Sequence, residues 1–321
     1  MAGLTCCSSC GGTVAPDGHC WDCGAAQPAF RSHLEITTGD GTGDGTGAGQ
    51  GEGDGAAGVS DRGRRRGVNA DAMALATSGS WTIGVVCDGV SMSPRADRAA
   101  RVAAETGAAT LVARLRAGVL PEVALGESAV RAGHAVAALA TSINTASINT
   151  APVNTAPVNP TSVNAAPINA TPINATPADA ASLNVAPACT YVAGIAGPDG
   201  IWAGWVGDSR AYWLPDEGLG MALTEDDSTE NETLSAWLGA DAGEPEARVR
   251  SYRPRGPGRL LLCTDGLWRY LPDADGLSLH CGGGGLLEGA RSLVGHALDA
   301  GGHDNITALL IPVPGAVRRP L

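Results

Sequence analysis

Apolar positions along this chain fall into short, nearly unbroken runs that stop abruptly at an aspartate and a glycine. Trp81–Val86 is one such run, ending in Asp88-Gly89, and Arg259–Cys263 is another, ending in Asp265-Gly266. Runs of this length and make-up predict buried strands. The stretch "CTYVAGIAGPDGIWAGWVGDSRAYWL" reads as two strands joined by Gly-Pro-Asp-Gly, a hairpin signal. "HLEITT" and "NITALLIPV" supply two further strands.

Helical patterning separates these runs. Ser93-Pro94 predicts the cap and first turn of a helix extending to about Ala117. Pro121 opens a second helix ending near Ala140, and a third spans about Leu286 to Leu298. Consecutive hairpins combined with helix pairs imply an α+β fold with antiparallel sheets.

Composition narrows the function. A hydrophobic content of 44% over 321 residues suffices for a buried core, while 46 Gly and 20 Pro announce segments outside it. The net charge of −12 argues against a general nucleic-acid binder, which needs a basic footprint. All 21 basic residues are arginine, so no lysine is available as catalytic base or Schiff-base former. No signal peptide is evident, and the longest uncharged run, Ala132–Ala178, is too rich in Asn, Thr and Pro to span a bilayer. A cytoplasmic protein without a membrane partner is the expectation.

Two segments interrupt the domain. Gly39–Gly58 alternates Asp and Gly without the nonapeptide pattern of calcium repeats, and reads as an acidic loop within the main domain. Ser142–Ala186 divides into nine pentapeptides of the SINTA and PVNTA type. Proline opens five of them, which would remove donors from the ladders of a β-solenoid, so the tract is expected to be a disordered insertion.

The N-terminal "CCSSCGGTVAPDGHCWDCG" pairs Cys7 with Cys10 and Cys20 with Cys23 in two CxxC units, each followed by glycine. Nine cysteines in a reducing compartment favour metal or burial over disulfides. This spacing suits a tetrahedral thiolate site for one structural zinc and resembles the short zinc ribbons of bacterial N-termini. The weaker alternative is four free or disulfide-bonded thiols. His19 is expected at the surface, and Cys6 is a spare.

Candidate chemistry lies at the strand ends. Asp71, Asp88, Asp208, Asp265 and Asp304 each sit at or beside one, and glycine adjoins Asp88, Asp208 and Asp265. Singly, each is a turn residue or helix cap, with glycine supplying a positive φ. Together, several buried carboxylates are prohibitive unless cations offset their desolvation. Oxygen ligands without His or Cys suit Mg²⁺ or Mn²⁺. Cys87, Cys189 and Cys263 have no partner placed for nucleophilic work and are expected in the core.

The successive pieces "RRRGVNADAMAL", "VVCDGVS", "TYVAGI…GWVGDSRAYWL", "LTEDDS", "LLLCTDGLW" and "GGHDNITALLI" resemble, in order, the motifs of the PPM, or type 2C, metal-dependent protein serine/threonine phosphatases. The resemblance spans Leu34 to Val313 apart from the two low-complexity tracts. It implies a sandwich of two antiparallel sheets flanked by helix pairs, preceded by the zinc ribbon. The implied organisation is a ribbon at 1–29, a phosphatase domain at 30–316 with insertions at 39–58 and 142–186, and a tail at 317–321.

By the same resemblance, Asp88 would bridge two Mn²⁺ or Mg²⁺ ions and Gly89 would offer its carbonyl to the second. Asp265 and Asp304 would hold the first, and Asp208 would join Asp265 at a third, weaker position. Arg66 would grip the substrate phosphoryl group, a role suited to its forked guanidinium. Asp71 and Asn305 would support the ligands. Two cations ~4 Å apart can acidify a shared water and aim it at phosphorus, with no covalent phospho-enzyme. The implied partners are phosphorylated substrates of serine/threonine kinases and a protein bound by the ribbon.

Two positions depart from the family pattern: Ala70 stands where Glu or Gln is usual, and Asp227 where His is common. Ala70 removes a side chain from the second metal's surroundings. A pseudophosphatase, or a binding module directed by the ribbon, is therefore the alternative to an active enzyme.

Overall fold

The structure is a computed structural model that describes residues 32–38, 55–91, 93–147, 186–229, 233–282 and 284–315. Cys7, Cys10, Cys20 and Cys23, the tail, and most of both low-complexity tracts lie outside the described residues.

In chain order the elements begin with β1 (His33–Thr37), β2 (Ala57–Asp61), β3 (Ala72–Ser78), β4 (Trp81–Cys87), α1 (Ala96–Arg116) and α2 (Pro121–Ser147). There follow β5 (Ala188–Cys189), β6 (Tyr191–Gly197), β7 (Gly200–Val206), β8 (Arg210–Pro215), β9 (Met221–Ala222), β10 (Leu238–Gly239) and β11 (Arg248–Tyr252). The last are β12 (Gly258–Cys263), α3 (Asp265–Trp268), α4 (Ala274–His280), α5 (Leu286–Asp299) and β13 (Ile306–Val313).

Two antiparallel sheets carry the fold, in strand order β1-β2-β13-β12-β8-β9 and β11-β7-β6-β4-β3, with β5 and β10 forming a short separate pair. The sheets pack face to face through Val86, Val192, Ile201 and Trp205 on one side and Trp213, Leu260, Leu262 and Ile311 on the other. Gly84 and Gly194 permit this closeness, because a Cβ on either would press on leucine side chains of the facing sheet. Helices α1 and α2 cover the outer face of the five-stranded sheet with a largely alanine surface, including Ala100, Ala103, Ala129 and Ala132. Helices α4 and α5 cover the other sheet through Leu277, Leu286, Leu293 and Val294.

The layered α+β architecture matches the sequence reading, and four local readings need correction. Ser93 is not the cap of α1: Arg95, at φ 56°, occupies that position without a side-chain cap. The Ser93 hydroxyl instead donates to the Val90 carbonyl at 2.9 Å and accepts the Ala188 amide at 3.2 Å, tying the loop after β4 to β5. Helix α2 continues past Ala140 to Ser147. No proline interrupts the chain there until Pro152, and extending an existing helix costs little. β2 begins inside the Gly39–Gly58 tract, pairing Ala57 with Thr37, because Ala56 and Ala57 are buried in the core. Lastly, the "TYVAGI…AYWL" stretch contains three strands: the β6–β7 hairpin stays in one sheet, and β8 crosses to the other. The crossing is made at Gly207, at φ 108°, directly before Asp208.

Among the described residues no helix is long and apolar enough to cross a membrane.

Candidate active site

All five strand-end aspartates meet at one edge of the sandwich. Asp71 and Asp304 precede β3 and β13, Asp88 and Asp265 follow β4 and β12, and Asp208 lies at the β7–β8 crossing. The clustering is felt most directly at Asp88: burial first, then the charges of Asp71, Asp265, Asp208 and Asp304, push its carboxyl well above the ordinary carboxylate range.

The inner pair is held by the backbone and by hydroxyls. The Asp88 amide donates to Thr190 Oγ1 at 2.9 Å, and the Asp88 carbonyl accepts the Thr190 amide at 2.8 Å. Asp71 is buried, and its Oδ2 accepts Thr264 Oγ1 at 2.8 Å and Thr307 Oγ1 at 2.7 Å. Burial pushes this carboxyl up to about 7 against the pull of the two hydroxyls, with Asp265 and Asp304 adding to the rise.

The outer aspartates are held by arginines. Asp265 opens α3, and its Oδ2 accepts Arg269 Nε at 2.9 Å, one helical turn later. Asp304 takes a forked contact from Arg66, with Nε to Oδ1 at 2.7 Å and Nη2 to Oδ2. The Asn305 amide is a second donor to Asp304 Oδ1, at 2.8 Å. The Asn305 side chain donates to the Arg62 and Val68 carbonyls and accepts the Ala70 amide, fastening the arm that carries Arg66 to the start of β13.

Asp208 is presented by a loop pinned on two sides. Trp268 Nε1 donates to its carbonyl at 2.9 Å, and Asp227 Oδ2 accepts the Gly207 amide at 2.9 Å. Burial pushes the Asp208 carboxyl up to about 6, followed by the charges of Asp265 and Asp226.

The glycines after Asp88 and Asp265 differ from the turn expectation: neither has a positive φ. Space is what requires them. A Cβ on Gly89 would lie 2.7 Å from the Ala96 backbone and 2.8 Å from the Ala70 carbonyl. On Gly266 it would lie 1.9 Å from the Asn305 carbonyl. Glycine thus lets the segments bearing Asp71, Asp88, Asp265 and Asp304 pack against one another. Proximity of the aspartates depends on it.

Several contributors were invisible to motif reading. Arg269 could have been found from its i,i+4 spacing to Asp265. Thr264, Thr307 and Trp268 gave no comparable signal. Neither did the forked pair of Arg210 with Asp226, both contacts at 2.8 Å, in which Arg210 lies 3.7 Å over the Trp268 ring.

The donor chemistry fits hard divalent cations. The acidic side chains offer oxygen alone, and Asp71 Oδ1 and Asp265 Oδ1 are buried with no hydrogen-bond partner. Orphaned carboxylate oxygens of this kind are costly without a cation. Ala70 adds no side-chain oxygen, and its amide and carbonyl are engaged by Asn305 and Gly89. Among the described residues, however, no three acidic, histidine or cysteine side chains are grouped tightly enough to form a ready ligand set.

Similarity to known proteins agrees with this architecture. Residues 58–281 match the family model described as Protein phosphatase 2C, a span that stops short of Asp304. A putative protein phosphatase of Mycoplasma pneumoniae is 30% identical over 144 residues, covering 39% of this chain. The chain thereby spans 55% of the length of that relative. A bacterial serine phosphatase has a similar fold, with TM-score 0.59 and 19% identity over 81% of this chain and 98% of its own. The serine/threonine phosphatase Stp1 from Staphylococcus aureus gives 0.59 and 18%, over 85% and 100%. The catalytic domain of the serine/threonine phosphatase PstP, solved with two manganese ions, gives 0.51 and 20%, over 80% and 97%. With its sheet order, its strand-end aspartates and a family match over most of its length, the chain belongs to the protein phosphatase 2C family.

Proposed function

We propose that this protein hydrolyses phosphoserine and phosphothreonine in protein substrates with Mn²⁺ or Mg²⁺ bound at the aspartate cluster. One observation carries the reading: five carboxylates converge on one sandwich edge with two buried oxygens left without a donor. Asp88 and the Gly89 carbonyl, with Asp265 and Asp304, are the residues to hold two cations, and Asp208 belongs to a third, weaker position. When bound, such cations acidify water to give a nucleophile at neutral pH and offset charge on the phosphoryl oxygens.

The chain's own residues do the rest. Arg66 orients the phosphoryl group through its fork. Asp71 supports the ligand loops through Thr264 and Thr307, and Asn305 fixes the arm that carries Arg66. Gly207 and Trp268 set the position of Asp208.

The remaining assignments complete the proposal. Residues 30–316 form the phosphatase domain. Cys7, Cys10, Cys20 and Cys23 hold one structural zinc in a ribbon that recruits a protein partner, and the protein acts in the cytoplasm on products of serine/threonine kinases. Replacing Cys20 and Cys23 with Ser should release zinc without lowering turnover of a small substrate.

The deciding experiment is hydrolysis of a phosphothreonine peptide by the full chain across a manganese and magnesium titration. Metal-dependent phosphate release is the expected result. A folded protein that binds manganese but releases no phosphate would favour the pseudophosphatase reading, for which the missing side chain at Ala70 is the supporting observation.

A further inference from the structure

The acidic cluster already contains a cation. The Arg66 guanidinium engages both oxygens of Asp304 and lies within electrostatic reach of Asp88 and Asp265. Asp304 Oδ1 also accepts the Asn305 amide, so three donors occupy the carboxylate. Asp265 is arranged differently: Arg269 takes Oδ2 and leaves Oδ1 buried without a partner. Asp71 Oδ1 is likewise without one. Asp71 and Asp265 thus each keep one buried oxygen without a donor, whereas the Asp304 carboxylate is closed by an arginine.

We propose that Arg66 is exchanged for metal: it neutralises Asp304 in the metal-free protein and leaves that carboxylate when a divalent cation enters. The same movement frees its fork for the substrate phosphoryl group. The inference rests on the metal-dependent reading of the cluster and adds an ordered coupling to it. Asp304 holds the Nε–Nη2 edge of the guanidinium, so only the Nη1–Nη2 edge faces a phosphoryl group until that carboxylate is given up. Metal binding must then strengthen anion binding, and by linkage an anion that draws Arg66 away must strengthen metal binding by the same factor. Arg66 thereby acts against the first metal before it acts for the substrate.

The sign of one substitution separates this from a purely phosphate-binding arginine. Manganese affinity of the full chain is measured by calorimetry, with and without inorganic phosphate, for the parent protein, Arg66→Ala and Arg66→Lys. Without phosphate, Arg66→Ala should bind manganese more tightly, by about tenfold, the order expected when a charged hydrogen-bonded competitor is removed. Phosphate should tighten manganese binding in the parent and do so much less in Arg66→Ala. Arg66→Lys keeps the charge but cannot fork, so its affinity should fall between the two, and it provides the test if the alanine variant does not fold. Weaker or unchanged manganese binding in a folded variant overturns the exchange while leaving the metal site intact. Failure of the parent protein to bind manganese at all overturns the metal reading together with the exchange.

Discussion

Asp71 and Asp304 lie in the same cluster and are satisfied in opposite ways. Asp71 is surrounded by protein and receives only the neutral hydroxyls of Thr264 and Thr307, and its carboxyl is pushed up to about 7. Asp304 lies nearer solvent and is closed by the fork of Arg66. Two hydroxyl donors do not offset desolvation beside other carboxylates, whereas a paired guanidinium supplies the opposite charge outright. The inner aspartates are therefore held toward their protonated form, whereas Asp304 and Asp265 are each met by an arginine. On the proposed reading, metal uptake would both release a proton from Asp88 and displace Arg66 from Asp304.

The largest effect should come from abolishing the carboxylates that both arrangements serve. Asp88→Asn and Asp265→Asn should lower metal-dependent turnover by orders of magnitude, because a neutral amide is a poor ligand for a hard cation. Asp88→Asn should at the same time stabilise the metal-free protein near neutral pH, since it removes the cost of burying an aspartate whose carboxyl is held well above its ordinary range. Near-parental turnover in either variant would disprove the metal assignment; thermal melts in a chelator would check the stability change.

The inner pair should also make metal-free stability depend on pH. Asp71 and Asp88 bind protons more tightly in the folded than in the unfolded chain. Their stabilising contribution is therefore complete below about pH 4, where unfolded aspartates protonate, and is lost as pH rises through the folded value of about 7 for Asp71. In chelator, the melting temperature should fall across this interval, with saturating manganese flattening the slope. Asp71→Asn should remove part of it. An identical slope with and without metal would mean that these carboxylates are not where the cation acts.

A smaller effect tests the neutral donors alone. Thr307 Oγ1 joins Asp71 to Ser60, 2.8 Å away, and Thr307→Val breaks both links. The loss should be about 1–3 kcal/mol in chemical denaturation of the metal-free protein, the usual cost of leaving a buried acceptor unsatisfied. Saturating metal should reduce that loss. A difference under the error of the method would show that Asp71 needs only one hydroxyl.

The smallest change probes the departure at Ala70. Ala70→Glu places a carboxylate next to Asp71, beside a carbonyl that accepts the Gly89 amide at 3.2 Å. The manganese concentration for half-maximal activity should fall modestly. An unchanged or higher value would mean that water already fills this role.

Much of this was legible in the chain itself. Trp81–Cys87 and Gly258–Cys263 are strands because short, largely apolar segments, broken only by Thr82 and Arg259, are buried most readily between layers. The aspartates at their ends were conspicuous because nothing local required so many. Less was legible where local rules compete with packing. Ser93 carries a helix-capping sequence but spends its hydroxyl on Val90 and on Ala188, a residue far along the chain. Gly89 and Gly266 look like turn glycines, yet the contacts that exclude a side chain come from residues distant in sequence.

Patterning along the chain carries the layered antiparallel fold and singles out five aspartates, oxygen donors all, that the fold brings to one edge. Alternation, run length and residue chemistry are properties of neighbours along the chain. Which aspartate faces a hydroxyl and which an arginine is settled by packing, for Asp71 meets Thr264 and Thr307, and Asp304 meets Arg66, across separations of 193 to 238 residues. The charge state of a carboxylate depends on what surrounds it in space, and that is fixed only when the two sheets close on each other.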